Sequence, residues 1–321
     1  MSKAAKAWLI AAVFLIAVGC ITGGIMMSLL NWDFTKLSTD TYVTNRYEIE
    51  EAYQSISITT DTADIALLPA ENEVCTVVCH EQENVKHTVS VKDGTLVIEA
   101  VDTRKWYQHI GIHFSSPRIT VYLPQAAYGT LTVRTDTGKT DVPSDFRFDA
   151  IDIKTDTGYV KVLASVLEGM RIKTSTGAIT VEGSTAKTVE LSVSTGKISL
   201  SQVTCAGDMR INVSTGKTIV KDTTCGNLYS TGSTGDLALE RVIVAGMLSA
   251  ERSTGDVRLD SCDAAELLID TDTGSVTGSL LSEKVFLASS DTGRISVPET
   301  TTGGRCKITT DTGNIDIRIQ K

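Results

Sequence analysis

Aromatic residues are scarce in this 321-residue chain, at 5%, and there are only four histidines. Both scarcities count against a histidine-based enzyme and an aromatic-lined cleft. Residues 160–321 hold just Tyr229 and Phe286, so no sugar-stacking platform runs along that part. Positive charge is short as well: 30 Lys+Arg against 39 Asp+Glu, a net charge of −9. A nucleic-acid binder would carry the opposite balance. No Gly-x-Ser-x-Gly elbow occurs anywhere. With 41% hydrophobic and 21% charged residues the composition is that of a folded chain, not a disordered one.

Charge is absent altogether from Ala7 to Leu30. That run exceeds the ~20 residues that span a bilayer as a helix. Trp8 and Trp32 bracket it, Lys3 and Lys6 precede it, and Asp33 is the first charge after it. The positive-inside rule then places the N-terminus in the cytoplasm and the remainder outside. A cleaved signal peptide has a shorter apolar core, ~7–15 residues. Ala17-Val18-Gly19-Cys20 is a loose lipobox, but Ala17 stands where Leu is usual and apolar residues follow the Cys. The run reads as an uncleaved anchor, with residues 1–30 as tip and transmembrane helix and 31–46 as a polar stalk.

The rest is dominated by a repeat. Thr-Gly recurs with glycine at Gly138, Gly158, Gly177, Gly196, Gly216, Gly235, Gly255, Gly274, Gly293 and Gly313, always 19 or 20 residues apart. Asp or Ser precedes the Thr each time. Counting from the glycine, positions −7, −5, +2 and +4 are mostly apolar, as in Leu131, Val133, Ile151, Ile153, Ile172 and Val181, and the positions between them are mostly polar. Such alternation predicts strands with one buried face. Each repeat is strand, tight turn, strand and return, with glycine permitting φ > 0 and the Asp or Ser accepting a hydrogen bond from the turn. One unit cannot bury its own face, but stacked units can. Residues 131–321 therefore predict an all-β β-solenoid of about ten coils, ~50 Å long at ~4.8 Å per coil. Position −3 is usually Thr (Thr135, Thr155, Thr174, Thr271, Thr310), which predicts a hydroxyl ladder. Arg252 and Gly232 break that ladder, and Ser230 and Gly278 break the apolar columns. Residues 47–130 predict an irregular β region or N-terminal cap. Within it, 56–65 is a decayed repeat with Ala63 in the glycine place, Asp93-Gly94 turns a hairpin and 119–123 is a strand. No matching cap is legible after residue 313, so the last coil is expected to be an open end fit for docking. Asp316, Arg318 and Lys321 would discourage edge-to-edge pairing there.

Few constellations carry chemistry. Asp-Thr-Gly, the aspartic-protease signature, occurs at Asp136, Asp156, Asp272, Asp291 and Asp311, but it alternates with Ser-Thr-Gly in the same column. Serine cannot do a carboxylate's proton chemistry, and a turn explains all ten copies. Calcium on the Asp column fails on the same interchange. His80, His87, His109 and His113 read as solvated strand positions, since zinc wants three or four ligands. Cys75 and Cys79 share a strand face. Cys205 and Cys225 stack in adjacent coils, near enough for a disulfide, and are expected to be free core thiols, with Cys306 buried and inert. Arg134, Lys154 and Lys173 occupy the outward −4 column in successive coils, a basic strip able to meet an anionic polymer. No catalytic residue, metal site or cofactor is expected.

The chain resembles a bacterial family of membrane-anchored, β-strand-repeat proteins regarded as adhesin candidates, LiaG-like proteins among them. The resemblance rests on the Lys-containing N-terminus, the apolar span, the stalk from Asp33 to Thr39, residues 101–107, the strand Ile119 to Pro124 and the Ser/Asp-Thr-Gly repeats. It implies a Gram-positive-type envelope protein connected with envelope stress, and it brings no catalytic or binding residues with it. The reading is a non-catalytic, membrane-tethered extracytoplasmic scaffold or adhesin-like protein, with cell-wall polymer or a membrane protein as partner and no nucleic acid. Two alternatives stand beside it: a polysaccharide-acting β-helix enzyme, and a regulatory partner of a membrane stress sensor.

Overall fold

The computed structural model describes residues 2–32, 41–103 and 117–320. The stalk from Asp33, residues 104–107 of the resemblance, and His109 and His113 lie wholly or largely outside them. One helix, Lys3–Leu29, starts where the Ser2 hydroxyl accepts the Ala5 N–H at 3.2 Å. It is apolar and long enough to cross a membrane, and no other element covers it. Among the described residues every other element is a β-strand.

The repeats form the solenoid that their period predicts. Successive coils pair in parallel and in register, so Gly138, Gly158, Gly177, Gly196 and Gly216 form one column. The alternating apolar positions point inward as expected: Leu131, Ile151, Met170 and Val189 stack in the core. Ala63 stands in the same column one layer before Gly138, and strand Ser55–Thr62 pairs with 131–137, so the decayed copy is the first coil. Glycine is required for a stronger reason than the turn. A Cβ on Gly196 would overlap the carbonyl oxygen of Gly177 in the preceding coil, and the same overlap recurs along the column. Gly196 also holds φ 147°, a conformation that side chains disfavour.

Corner hydrogen bonding differs from expectation. Among the described residues no Asp or Ser at −2 accepts a bond; these side chains point to solvent. Side chains at +1 do the capping instead. Asp64 accepts the Lys139 N–H at 2.9 Å, and Asp256 the Ser275 N–H at 2.8 Å. The threonines of the expected ladder do stack, Thr135 on Thr155 on Thr174 and Thr271 on Thr310. Thr135 and Thr174 donate within their own corners, to the carbonyls of Thr137 and Thr176 at 3.2 Å, whereas Thr310 donates to the Gly274 carbonyl of the neighbouring coil at 3.0 Å.

The stack does not follow chain order at its far end. Gly313 lies on Gly274, and Gly293 lies on Gly313. Strand Gly304–Thr312 is inserted between 257–273 and Lys284–Thr292, and Ile315–Ile319 between Val276–Leu280 and Ile295–Ser296. The expectation that the last coil of the sequence is the open end is therefore wrong. That coil is paired along both edges. The outer layer is the coil of Gly293, which is joined to the rod at both of its ends. It exposes Val285, Leu287 and Ile295.

The other end is closed by a cap. Strand Thr95–Asp102 lies parallel on 55–59, and the Asp93-Gly94 hairpin folds Val85–Lys92 against it. Strand Arg118–Leu123 lies parallel on Asp64–Pro69, followed by antiparallel Cys75–Gln82 and then Tyr42–Ile49 at the edge. The sheet thus begins at Tyr42, inside the segment read as stalk.

Gly196→Ala is expected to lower unfolding stability by ~3 kcal/mol or more, because it adds φ strain to a backbone overlap. Gly169→Ala, whose added Cβ meets only the Thr188 hydroxyl at 3.2 Å, should cost ~1 kcal/mol or less. Urea unfolding followed by circular dichroism compares the two; equal losses would show that the glycine column is not a packing constraint.

Candidate functional site

Stacking in register turns single positions into columns, and columns into surfaces. The glycine column makes a shallow trough. Over the first four coils it deepens to a groove of about 520 Å³ lined by residues 62–64, 137–139, 157–159 and 176–178. Its +1 side carries Asp64, Lys139, Tyr159 and Ala178, and the same column continues with Lys197 and Lys217. Tyr159 is exposed and lines the groove. Sequence reading passed over this column. A register of the +1 residues would have shown it.

The strip read from the sequence lies across the corner from that column. Arg134, Lys154 and Lys173 do stand in register. Arg134, however, is held by Asp152 at 2.5 Å and by the carbonyls of Val133 and Asp152, both at 3.0 Å. Lys154 and Lys173 are exposed and form no ion pair among the described residues. Further along, the same outward column changes sign, with Glu251 beside Asp270. Those two line a pocket of about 440 Å³ with Asp272, Arg252, Asn212 and four hydroxyl residues.

Arg252 explains three of the four departures from the repeat. Its side chain enters the core, where it is 4% exposed. It donates to the Ser230 hydroxyl at 2.8 Å and to the Ser230 and Glu251 carbonyls at 3.0 and 2.6 Å. A Cβ on Gly232 would press on the Arg252 side chain at 3.2 Å and on the Val213 carbonyl at 2.8 Å. Ser230 and Gly232 are thus the acceptor and the space for one buried guanidinium. Burial lowers its pKa to about 10, which leaves it charged at neutral pH. Gly278, the fourth departure, has φ 144° and abuts the Leu259 carbonyl, next to a break in register.

A second buried polar group lies in the cap. Cys75, Val77, Cys79 and Glu81 alternate along one strand and are all buried. The Glu81 carboxylate accepts the His87 backbone N–H and ring Nδ1, each at 2.7 Å. Its other oxygen accepts Asn45 Nδ2 at 2.6 Å, and Thr60 Oγ1 lies 2.9 Å from His87 Nε2. Because Nδ1 faces a carboxylate, it carries a proton. The thiol of Cys79 joins them, all three ligand atoms lying within 4.8 Å of one another. Burial, with the Glu81 charge, pushes that thiol up to about 12. His87 is therefore not the solvated histidine that the sequence suggested. The strand parity shared by Cys79 and Glu81 was the available signal. His80 does fit the expectation better, stacking on Tyr42 near the surface with Nδ1 3.1 Å from Thr44 Oγ1. The seven cysteines are free, Cys205 and Cys225 included, and burial pushes Cys306 up to about 12.

Together these features define a β-solenoid scaffold with in-register surface columns. The chain belongs to the Toastrack DUF4097 family, which matches residues 53–226 and 206–321. Among solved structures it is similar to a lipid-binding candidate from Parabacteroides distasonis, at 16% identity and TM-score 0.51, covering 73% of this chain and 96% of that one. It is also similar to an adhesin candidate from the same organism, at 13% identity and TM-score 0.48, covering 88% and 98%. No curated protein matches the chain.

Replacing Ser230 by Ala should destabilise the chain by ~1–3 kcal/mol, because the buried guanidinium loses an acceptor. Arg252→Met removes the buried charge and should be near neutral or stabilising. The two changes should couple by ~1 kcal/mol or more in a double-mutant cycle. Additive effects in urea unfolding would separate Arg252 from Ser230.

Proposed function

We propose that this chain is a membrane-tethered, extracytoplasmic binding rod of the bacterial envelope that takes an extended anionic polymer along its basic end. The observation that carries this reading is the groove over the glycine column, with Tyr159 within it and Lys139, Lys197 and Lys217 in the same column. Lys154 and Lys173 add charge across the corner, while Arg134 positions Asp152 more than it serves a ligand. An extended ligand suits a rod whose chemistry repeats once per coil. The apolar helix is the tether, with its N-terminus in the cytoplasm by the positive-inside rule. On this reading residues 1–30 anchor, the segment before Tyr42 leads out, the strands between 42 and 123 outside the first coil cap, and the first coil with 131–321 binds, without catalysis or a cofactor. The exposed strand edge with Val285, Leu287 and Ile295 favours a second reading, a protein partner that adds a strand at the outer coil.

The test is retention of residues 41–321 by purified cell walls; the helix is left off because it packs on nothing. Binding should fall steeply between low and high salt. A Lys139→Gln, Lys154→Gln, Lys173→Gln, Lys197→Gln variant should bind roughly tenfold more weakly, at ~0.3–0.5 kcal/mol per exposed charge. Retention unchanged by salt and by these substitutions would overturn the basic-groove reading. Capture of one membrane protein, lost in Leu287→Glu, would favour the outer coil.

A further inference from the structure

We propose that Cys79, Glu81 and His87 form a buried zinc site that clips the cap at the tether end of the rod. One thiol, one carboxylate and one imidazole converge from two strands, with every ligand atom within 4.8 Å of the others. A tetrahedral zinc with bonds of ~2.0–2.3 Å sets its ligands ~3.3–3.8 Å apart. The pocket brackets that spacing, so the 2.7 Å contact between His87 and Glu81 needs to open by only about half an ångström.

The surroundings match what a metal-bound set needs. With Nδ1 on the metal, His87 Nε2 carries the proton and donates to Thr60, which already lies 2.9 Å away. Asn45 donates to the Glu81 oxygen that faces away from His87 and fixes the carboxylate. The donor set of sulfur, nitrogen and oxygen suits a metal of borderline softness, which favours zinc over magnesium or calcium. Three protein ligands leave a fourth position for the second Glu81 oxygen or a water. Glu81 is 0% exposed and His87 4%, which shuts out any substrate and makes the role structural. Entry is provided by strand Tyr42–Ile49, whose one strand partner among the described residues is 75–82 and which carries Asn45. Lifting that edge strand uncovers Glu81. Binding the metal holds it down, and it is the strand nearest the apolar helix in sequence.

The full chain in detergent, stripped of metal by a chelator, is titrated with cobalt(II) as the probe. The expected result is about one equivalent bound, with a thiolate-to-cobalt charge-transfer band in the near ultraviolet that zinc abolishes. Cys79→Ser should lose the band and Cys75→Ser keep it. His87→Gln should weaken binding by ~100-fold, and Asn45→Ala by roughly tenfold with the band intact. Zinc should raise the Tm of the stripped wild-type chain. A wild-type chain that takes up no stoichiometric cobalt, or that binds it without a thiolate band, overturns the proposal and leaves a plain buried ion pair. So does a band that survives Cys79→Ser. The wild-type titration decides the matter even where a variant fails to fold.

Discussion

Backbone lies on backbone at the Thr-Gly corner, and the rest of the molecule is arranged around that contact. Each corner carbonyl, from Ala63 to Gly313, sits where the next layer's Cβ would be. No side chain separates the layers there, so the coils approach closely and pair in register. Register then places every apolar position over its like, which is what buries the core. It also places every outward position over its like, so surface chemistry comes in columns. The trough, the lysine columns and the change of sign along the −4 column all follow from the one constraint.

Such a stack tolerates an exception only when neighbouring coils adjust together. Arg252 would be costly alone, since a buried guanidinium needs acceptors and room. The preceding coil supplies both, through Ser230 and Gly232. The three substitutions fall in two adjacent coils because the side chain reaches one layer. The same logic orders the far end. An outermost strand is unpaired on one side, and a segment held at both ends frays less there. Placing the coil of Gly313 inside and the coil of Gly293 outside leaves the exposed edge on a segment held at both ends.

Period, buried face and first coil were legible because each depends on residues within one repeat. Ala63 could be assigned to the glycine column from its flanks, Ile56, Ile58 and Ile65. Layer order was not legible, because the coils of Gly293 and Gly313 carry the same pattern and sequence spacing says nothing about which lies outside. The capping residue was misplaced for a related reason. Asp136 and Asp64 both look like turn caps, and only the stack shows that the +1 side chain of one coil reaches the N–H of the next. Across the corner from the candidate groove, the basic −4 residues were visible as a run of like charges. The +1 column was not, because Tyr159 and Ala178 interrupt its lysines. Glu81 and His87 were missed because a charged side chain on a strand is normally read as solvated.

The two ends of the rod are built on opposite principles, and this bears on what the molecule can do. The outer coil presents an apolar, singly paired edge. The tether end is closed by antiparallel strands and by the fully satisfied polar cluster of Asn45, Thr60, Glu81 and His87. A satisfied buried network specifies geometry more than it adds stability, since moving any member leaves a buried charge unpaired. The strand leading from the apolar helix is thereby seated at one angle on the cap. A rod about 50 Å long amplifies any wobble at its base by its own length. Seating at Glu81 fixes the edge strand on the cap, and the in-register stack carries that fixed geometry on to distant columns such as Lys197 and Lys217.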